Sequence, residues 1–326
     1  MSTLPSHHYS PAVSVIMPVF NGERTIRQAI DSVLKQTFQN FELLIWDDGS
    51  NDSTASIINS YSDPRVILCG KSKNFGVGQA RDSAIKVARG KWLAFIDADD
   101  AWVPERLEVL MEKANQIGES FIFDNILECH DDALGKIHPW RPMREKHAFG
   151  GDNLNIINVP IEKLISSNRS LLKPVFPLHY IREHEIVHSN HSYGEDMDFF
   201  LRMLAYSKLP IWYVPYPLYL YRITPGSACA NKDRYELFKM ILEQGIELFP
   251  ESPNIQDAFR RKITMVNRDE KYIKFIWSIK DKQFSDALNM LLRNPWFVIE
   301  FLLRAGNTLA YHAHRIRHGG HMRGTY

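Results

Sequence analysis

Apolar runs and helical periodicities alternate along residues 13 to 125. Val13 to Val19 (VSVIMPV) is a short run rich in β-branched residues and broken by Asn21-Gly22, which reads as a buried strand. Ile26, Ala29, Ile30, Val33 and Leu34 then recur at i, i+3, i+4, i+7 and i+8, one face of a helix. Phe41 to Trp46 is a second buried strand ending in Asp47-Asp48-Gly49-Ser50. A short helix is expected after it, starting near Asp52 or Ser53, both good N-caps. Arg65 to Cys69 is a third strand. Gly78 to Arg89 is a helix with Ala80, Ala84, Ile85, Val87 and Ala88 available for packing, stopped by Gly90. Lys91 to Ile96 is a fourth strand, and Pro104 opens another helix at its first position.

This alternation implies an α/β chain with a parallel sheet and helices on both faces. Ligands of such sheets sit outside the carboxyl ends of the strands. Three polar clusters fall at those ends: Pro18 to Glu23, Asp47 to Ser50, and Asp97 to Asp100. From about 126 to 190 the pattern weakens and loops are expected to dominate. A helix returns over Glu195 to Tyr206. Pro210 to Arg222 is aromatic and extended, with prolines that suit an edge strand. From Asp233 onward the chain is mostly helical and amphipathic, a second unit.

Composition changes this picture little. The formal net charge is +1, which does not suggest a nucleic-acid partner. Cys69, Cys129 and Cys229 are far apart and odd in number, so neither a disulfide framework nor a metal-binding cysteine pair is indicated, and a reducing compartment fits best. The N-terminal MSTLPSHHYSPA has no basic n-region and no apolar h-region, so it does not read as a signal peptide. The run Trp296 to Leu303 is far short of the roughly 20 residues that span a bilayer. The expectation is a cytoplasmic protein, peripheral at the inner face of the cell membrane.

The chemistry concentrates in Phe95-Ile96-Asp97-Ala98-Asp99-Asp100-Ala101-Trp102. Three carboxylates within four residues repel one another and raise each other's pKa. The plainer reading is a solvated loop with Asp100 capping the helix opened by Pro104. The other is a divalent cation site, since hard Mg2+ or Mn2+ takes one or two protein carboxylates together with ligand phosphates and water. Gly76 to Arg81 (GVGQAR) resembles the start of a dinucleotide-binding loop, but Arg81 stands where the third glycine belongs and the loop follows the third strand, not the first.

Taken together, SVIMPVFNGERTIRQAIDSVLKQTF, FELLIWDDGSNDST, KNFGVGQARDSAIKVARGKWLAFIDADDAWVPERL and YGEDMDFFLRML resemble glycosyltransferase family 2, with the GT-A fold, over roughly residues 12 to 227. The resemblance implies a metal-dependent inverting enzyme that uses a nucleoside-diphosphate sugar, with a UDP-linked donor expected. Carried over, Pro18, Phe20 and Glu23 line the nucleoside pocket and Asp48 accepts a hydrogen bond from the base, with Asp47 less directly involved. Asn74, Gly76 and Arg81 close over the nucleotide, Asp97 lies near the ribose, and Asp99 holds Mg2+ or Mn2+ on the diphosphate. Asp196 is the general base; its plainer reading is an acid favoured by the helix dipole. Glu195 is the fallback base or an acceptor contact. Arg222 and Thr224 to Cys229 read either as part of a lid near the phosphates or as an ordinary turn.

The resemblance divides the chain into a catalytic unit over 1–230 and a helical extension with a basic tail over 231–326. Its expected setting is bacterial surface-polysaccharide assembly on a saccharide or polyprenyl-diphosphate-linked acceptor. The rivals are a catalytically silent sugar-nucleotide- or partner-binding protein on the same fold, and a nucleotidyltransferase, which would need a basic glycine-rich loop that PVFNGERT does not supply. His184, His188 and His191 read as polar loop histidines. No acid follows Glu300, whereas Arg304, Arg315, Arg317 and Arg323 do. With Trp296, Phe297 and Leu302 as an apolar face, this end reads as an interfacial segment for anionic lipid; the rival is a helix packed on the catalytic unit. His312, His314, His318 and His321 suit a flexible basic end better than a metal tract.

Overall fold

The computed structural model describes residues 10–132, 135–143, 149, 155–167, 172–191, 193–223, 234–302 and 304. Its centre is β1 (Val13–Val19), buried along its whole length. β2 (Phe41–Asp47) and β4 (Trp92–Phe95) flank it in parallel, and β3 (Val66–Lys71) extends the sheet beyond β2. Burial on both faces explains why β1, β2 and β4 are continuous apolar runs, whereas β3 at the edge is only partly buried. Alternate residues serve opposite cores. Val13, Val15 and Met17 join α1 (Ile26–Leu34) and α4 (Arg106–Ile117) on one face. Ile16, Leu44, Leu93 and Phe95 join α3 (Val77–Val87) and α7 (Glu195–Ser207) on the other. The buried side of α1 is Ile26, Ala29, Ile30 and Val33, as its spacing requires.

The sheet order is β3-β2-β1-β4-β9-β6-β10-β5. Two of these strands differ from expectation. β6 (Phe121–Asp131) is eleven residues long and its second half, 126–131, runs into the stretch expected to be loop, where β7 (Ile137–Pro142) pairs with it. Its polar residues Asp124, Asn125, Glu128 and His130 are buried, which hides the strand from a hydrophobic count. β10 (Ile211–Arg222) is not an edge strand. It lies between β6 and the short β5 (Ala101–Trp102), and Pro217 sits where bulges interrupt its pairing with β6. A missing N–H is tolerated there because the ladder is already broken. The short antiparallel β9 (Val175–Pro177) bridges β4 and β6, and β8 (Ile157–Asn158) pairs with β10. The helix expected at Pro104 begins at Arg106, and α2 (Thr54–Asn59) begins just after Ser53.

Beyond α5 (Ile161–Ser166) and α6 (His179–Glu183), the C-terminal part is α8 (Arg234–Leu248), α9 (Pro253–Lys280) and α10 (Phe284–Arg293). Ile241, Leu242, Ala258 and Phe259 share one core with Ile165 of α5 and with Met197 and Leu201 of α7. The far half of α9 instead forms a satellite cluster of Tyr272, Phe275, Ala287 and Phe297. Phe297, expected on an interfacial face, is therefore buried, and Trp296 is half-buried under Arg268, whose guanidinium carbon lies 4.0 Å from the ring centre. Among the described residues no helix is long and apolar enough to cross a membrane.

The end of the sheet away from the polar clusters is locked by Ser14 and the buried Glu42. Ser14 Oγ donates to Glu42 Oε1 at 2.7 Å, and the Gly90 N–H donates to Ser14 Oγ at 2.8 Å. Arg89 closes on Glu42 Oε2 with Nε at 3.0 Å and Nη2 at 2.7 Å. A Cβ on Gly90 would stand 2.4 Å from the Ser14 nitrogen, a backbone atom of the central strand that cannot give way. Gly90→Ala is expected to destabilise the fold by roughly 1–3 kcal/mol through overpacking. Its urea midpoint should fall with little change in slope; an unchanged midpoint contradicts this packing.

Candidate active site

Because β1, β2, β3 and β4 are parallel, the segments that leave their carboxyl ends emerge at one rim of the sheet. The first two loops are laced together. The N–H groups of Asn21, Gly22 and Glu23 donate to Ser50 Oγ, Thr54 Oγ1 and Asp52 Oδ2 at 2.9, 2.8 and 3.1 Å. Glu23 returns a carboxylate oxygen to the Ser53 N–H at 3.0 Å, at the start of α2. Asp48 is buried and organises the third loop. It accepts from the Phe75 and Gly76 N–H groups at 2.9 and 2.8 Å and from the Ser72 hydroxyl. That loop passes through left-handed backbone at Asn74 (φ 57°) and Gly76 (φ 98°). A Cβ on Gly76 would meet nothing within 4 Å, so the need there is conformational, not steric. Pro18 is buried in β1, whereas Phe20 and Phe75 stand 47% and 61% exposed at this rim.

The three clustered carboxylates have three different environments. Asp97 lies between two buried cations: Arg81 Nη2 is 2.8 Å from Oδ1 and Lys173 Nζ 2.5 Å from Oδ2. Burial alone would raise the Asp97 pKa, but Lys173 and Arg81 outweigh it and hold the carboxyl below its usual range. Asp100 is buried, accepting the Tyr219 hydroxyl at 2.6 Å and the Arg222 N–H at 2.8 Å. It does not cap α4. Burial, then Asp99 and Asp97, push its pKa well up. Asp99 has no side-chain partner among the described residues, and burial followed by the Asp97 charge raises its pKa.

Arg222 supports this cluster from beneath. Its Nε donates to the Asp99 carbonyl at 2.5 Å and its Nη2 to Gln28 Oε1 at 2.5 Å, while Nη1 pairs with Asp131. Every guanidinium nitrogen is thus engaged within the protein. The segment Thr224 to Cys229 and the histidine tail lie outside the described residues.

Across the rim, α7 begins after Gly194 (φ 79°) with Glu195 and Asp196. Arg81 spans the gap, its Nη1 lying 3.0 Å from Glu195 Oε1. Burial, then Asp196, raise the Glu195 pKa against the pull of Arg81. Asp196 Oδ1 accepts the Met197 N–H at 2.7 Å. Asp196 also lines a narrow recess with Arg81, Phe95, Leu172, Lys173, His188 and Phe200. His188 is buried there, not exposed on a polar loop. Its Nδ1 is 2.6 Å from Asp82 Oδ1, and its ring stacks on Phe199 with centres 4.0 Å apart. Burial lowers the His188 pKa against the opposing pull of the Asp82 carboxylate that faces Nδ1. His184 instead stacks on Tyr206, and His191 is half-buried.

The model of the glycosyl transferase family 2 family matches residues 14–176, half of the chain and every strand-end cluster above. The chain belongs to glycosyl transferase family 2. Among relatives in this family, the UDP-Glc:alpha-D-GlcNAc-diphosphoundecaprenol beta-1,3-glucosyltransferase WfgD of Escherichia coli is 42% identical over 113 residues, 35% of this chain and 45% of WfgD. The succinoglycan biosynthesis protein ExoO of Rhizobium meliloti is 37% identical over 116 residues, 36% of this chain and 33% of ExoO. The chain spans about half the length of the curated relatives it matches. The GT-A fold is confirmed by solved structures. Staphylococcus aureus TarS 1-349 with UDP-GlcNAc superposes with a TM-score of 0.64 at 17% identity, covering 95% of this chain and 93% of that one. The Pyrobaculum calidifontis mannosyltransferase PcManGT with GDP-Man and Mn2+ gives 0.60 at 13% identity, covering 93% and 87%.

The residues at this family 2 rim fit a divalent cation in one particular way. Among the described residues there is no cluster of three or more acids, histidines or cysteines placed to hold a metal by themselves. Of the three clustered acids Asp99 alone has no side-chain partner among the described residues, and its raised pKa is what a nearby cation would relieve. This donor set suits an ion carried largely by ligand phosphates and water.

Lys173, Asp82 and Tyr219 were not singled out by sequence, yet all are built into the site. Lys173 is positioned in turn by Arg106, which pairs with Asp124 and donates to the Lys173 carbonyl at 2.5 Å. Lys173→Met leaves Asp97 with a single cation. It should cost about 3 kcal/mol, the low end for a broken buried pair because Asp97 keeps a quarter of its side-chain surface exposed. Adding Asp97→Asn should restore most of that loss. Urea unfolding of both singles and the double gives the coupling, and purely additive effects contradict the pairing.

Proposed function

We propose that this enzyme is a metal-dependent inverting glycosyltransferase. It takes a sugar from a nucleoside diphosphate, UDP-linked, and places it on a hydroxyl of a saccharide or polyprenyl-diphosphate-linked acceptor during surface-polysaccharide assembly. One observation carries the reading. Among the described residues Asp99 is the one acid of the strand-end cluster with no side-chain partner, and Asp196 lines the recess beside Arg81 and Lys173. We assign the leaving-group side to Asp99 and the nucleophile side to Asp196. The naming of WfgD for a UDP-Glc donor and a diphosphoundecaprenol acceptor supports the substrate class.

In this reading Phe20 and Phe75 offer exposed rings to the base, and Asp48 shapes the Asn74–Gly76 loop that closes over the nucleotide. Pro18 and Glu23 fix the opposite wall. Asp97, oriented by Arg81 and Lys173, accepts from the ribose. Asp99, with its turn held by Arg222, faces the diphosphate. Asp99 would hold Mg2+ or Mn2+ there, and when bound the ion would supply charge neutralisation to the departing diphosphate. Asp196 takes the proton of the acceptor hydroxyl as its oxygen attacks the anomeric carbon from the face opposite the leaving group. Glu195, fixed by Arg81, contacts the sugar or acceptor. The catalytic unit is residues 1–230 and the helical extension is 231–326. The protein works at the inner face of the cell membrane.

A panel of nucleotide sugars, scored by hydrolysis and transfer, tests the donor class. Asp99→Asn should lower turnover by about a hundredfold or more and remove the effect of Mn2+ on nucleotide affinity, with the fold intact. Full activity in excess chelator would remove Asp99 from this role. Asp196→Asn should bind the donor within about threefold of wild type while kcat falls on the order of 10²–10⁴-fold. An equal loss of donor affinity would place Asp196 in the donor pocket instead.

A further inference from the structure

The large apolar side chains left exposed are not evenly spread. Of the sixteen that are exposed among the described residues, seven fall between residues 284 and 302. On α10, Phe284, Leu288 and Leu292 are 65%, 56% and 73% exposed and recur every four residues. The same helix already turns Ala287, Met290 and Leu291 onto the Tyr272–Phe275 cluster. Its internal packing is therefore complete, and the outer stripe is surplus to it. Val298, Ile299, Phe301 and Leu302, after the buried Phe297 of that cluster, are 49%, 64%, 48% and 65% exposed. A concentration of this kind marks an interaction surface rather than scattered exposure.

Charge indicates the partner. Residues 261–326 contain 12 lysines and arginines against 5 acids, whereas the whole chain has 39 against 38. Residues 1–260 therefore carry an excess of acid, and the basic surplus belongs to the same C-terminal stretch of sequence as the exposed apolar side chains. Lys282 and Arg293 are exposed at either end of α10, and Asp286 lies on the side of that helix away from the stripe. A second copy of this chain would set two such basic ends against each other across a self-complementary contact, which like charges oppose. A surface both apolar and anionic satisfies both features at once.

We propose that the α10 stripe and residues 298–302 dock on an anionic phospholipid bilayer, with the apolar side chains entering the headgroup boundary and the surrounding lysines and arginines facing lipid phosphates. The site differs from the tail-borne contact expected from sequence, because its apolar part is the α10 stripe with residues 298–302, and of the expected face of Trp296, Phe297 and Leu302 only Leu302 belongs to it. The docking deepens the proposed function, since an acceptor on a polyprenyl diphosphate resides in the bilayer, but binding is read without sugar transfer.

The test is sedimentation of the full chain with vesicles of phosphatidylcholine alone or mixed with phosphatidylglycerol. The variant is Phe284→Ser/Leu288→Ser/Leu292→Ser, whose sites are exposed and whose folding is checked by circular dichroism and Tm. Wild type should prefer the anionic vesicles and release as salt rises. The triple variant should bind them about tenfold or more weakly, at unchanged Tm and with unchanged transfer to a soluble acceptor. Equal binding by both proteins, or equal binding to neutral and anionic vesicles, overturns the proposal. So does a wild-type dimer that the triple variant converts to monomer without any vesicle binding, which assigns the stripe to a second copy. Vesicle binding with no transferase activity on any donor would defeat the proposed function and leave this inference standing.

Discussion

Asp97 between Arg81 and Lys173 is the constraint on which the rim is organised. Two buried cations without that carboxylate, or the carboxylate without them, would be a heavy uncompensated charge. Together they draw four separate elements to one point: α3 through Arg81, the end of β4 through Asp97, the approach to β9 through Lys173, and α7 through Glu195 on the far side of Arg81. Arg106, paired with Asp124, then ties the Lys173 backbone to α4 and β6. The distance across the mouth, from the strand-end acids to Asp196, is set by this chain of charges rather than by the backbone of any one loop.

Much of this was legible in sequence, and the reasons differ by element. β1, β2 and β4 are buried on both faces, so their apolar runs have no competing pattern. The acids of FIDADDAW stand out because three carboxylates crowd one strand end, and those of the Gly194–Asp196 turn stand out through the family resemblance, since the helix dipole alone would explain them. β6 was hidden because Asp124 and Glu128 are buried against Arg106 and Arg141, partners that a local count does not see. Lys173 was hidden for the same reason: one lysine in Leu-Leu-Lys-Pro-Val looks like a solvent-facing residue, and only the tertiary approach of Asp97 makes it otherwise. His188 looked like a loop residue because its partner Asp82 lies 106 positions earlier. The prolines of β10 were read by their usual placement at edges, whereas here bulges make room for them in the interior.

The three adjacent acids show how one short motif is divided by its surroundings. Asp97 is neutralised, Asp99 is left open, and Asp100 is committed to Tyr219 and the Arg222 backbone. That last commitment fixes the end of β10 against the turn, and it places the Arg222 guanidinium beneath the Asp99 carbonyl. Arg222 therefore shapes the turn that carries Asp99, because its own nitrogens are already engaged within the protein.

Charge distribution gives the open acid a further meaning. Residues 1–260 hold 27 lysines and arginines against 33 acids. A unit with that balance does not attract a doubly charged diphosphate through its overall field. The positive charge that meets such a ligand has to be local. Arg81 and Lys173 are local but already spent on Asp97, and Arg222 is spent on Asp131 and the Asp99 carbonyl. The exposed Arg24 and Lys73 stand on the first and third loops, whereas beside Asp97 and Asp100 what remains is the Asp99 carboxylate, which would repel phosphate when alone and attract it through a shared divalent ion. On this electrostatic ground, nucleotide and cation should bind this enzyme together, each weakly without the other.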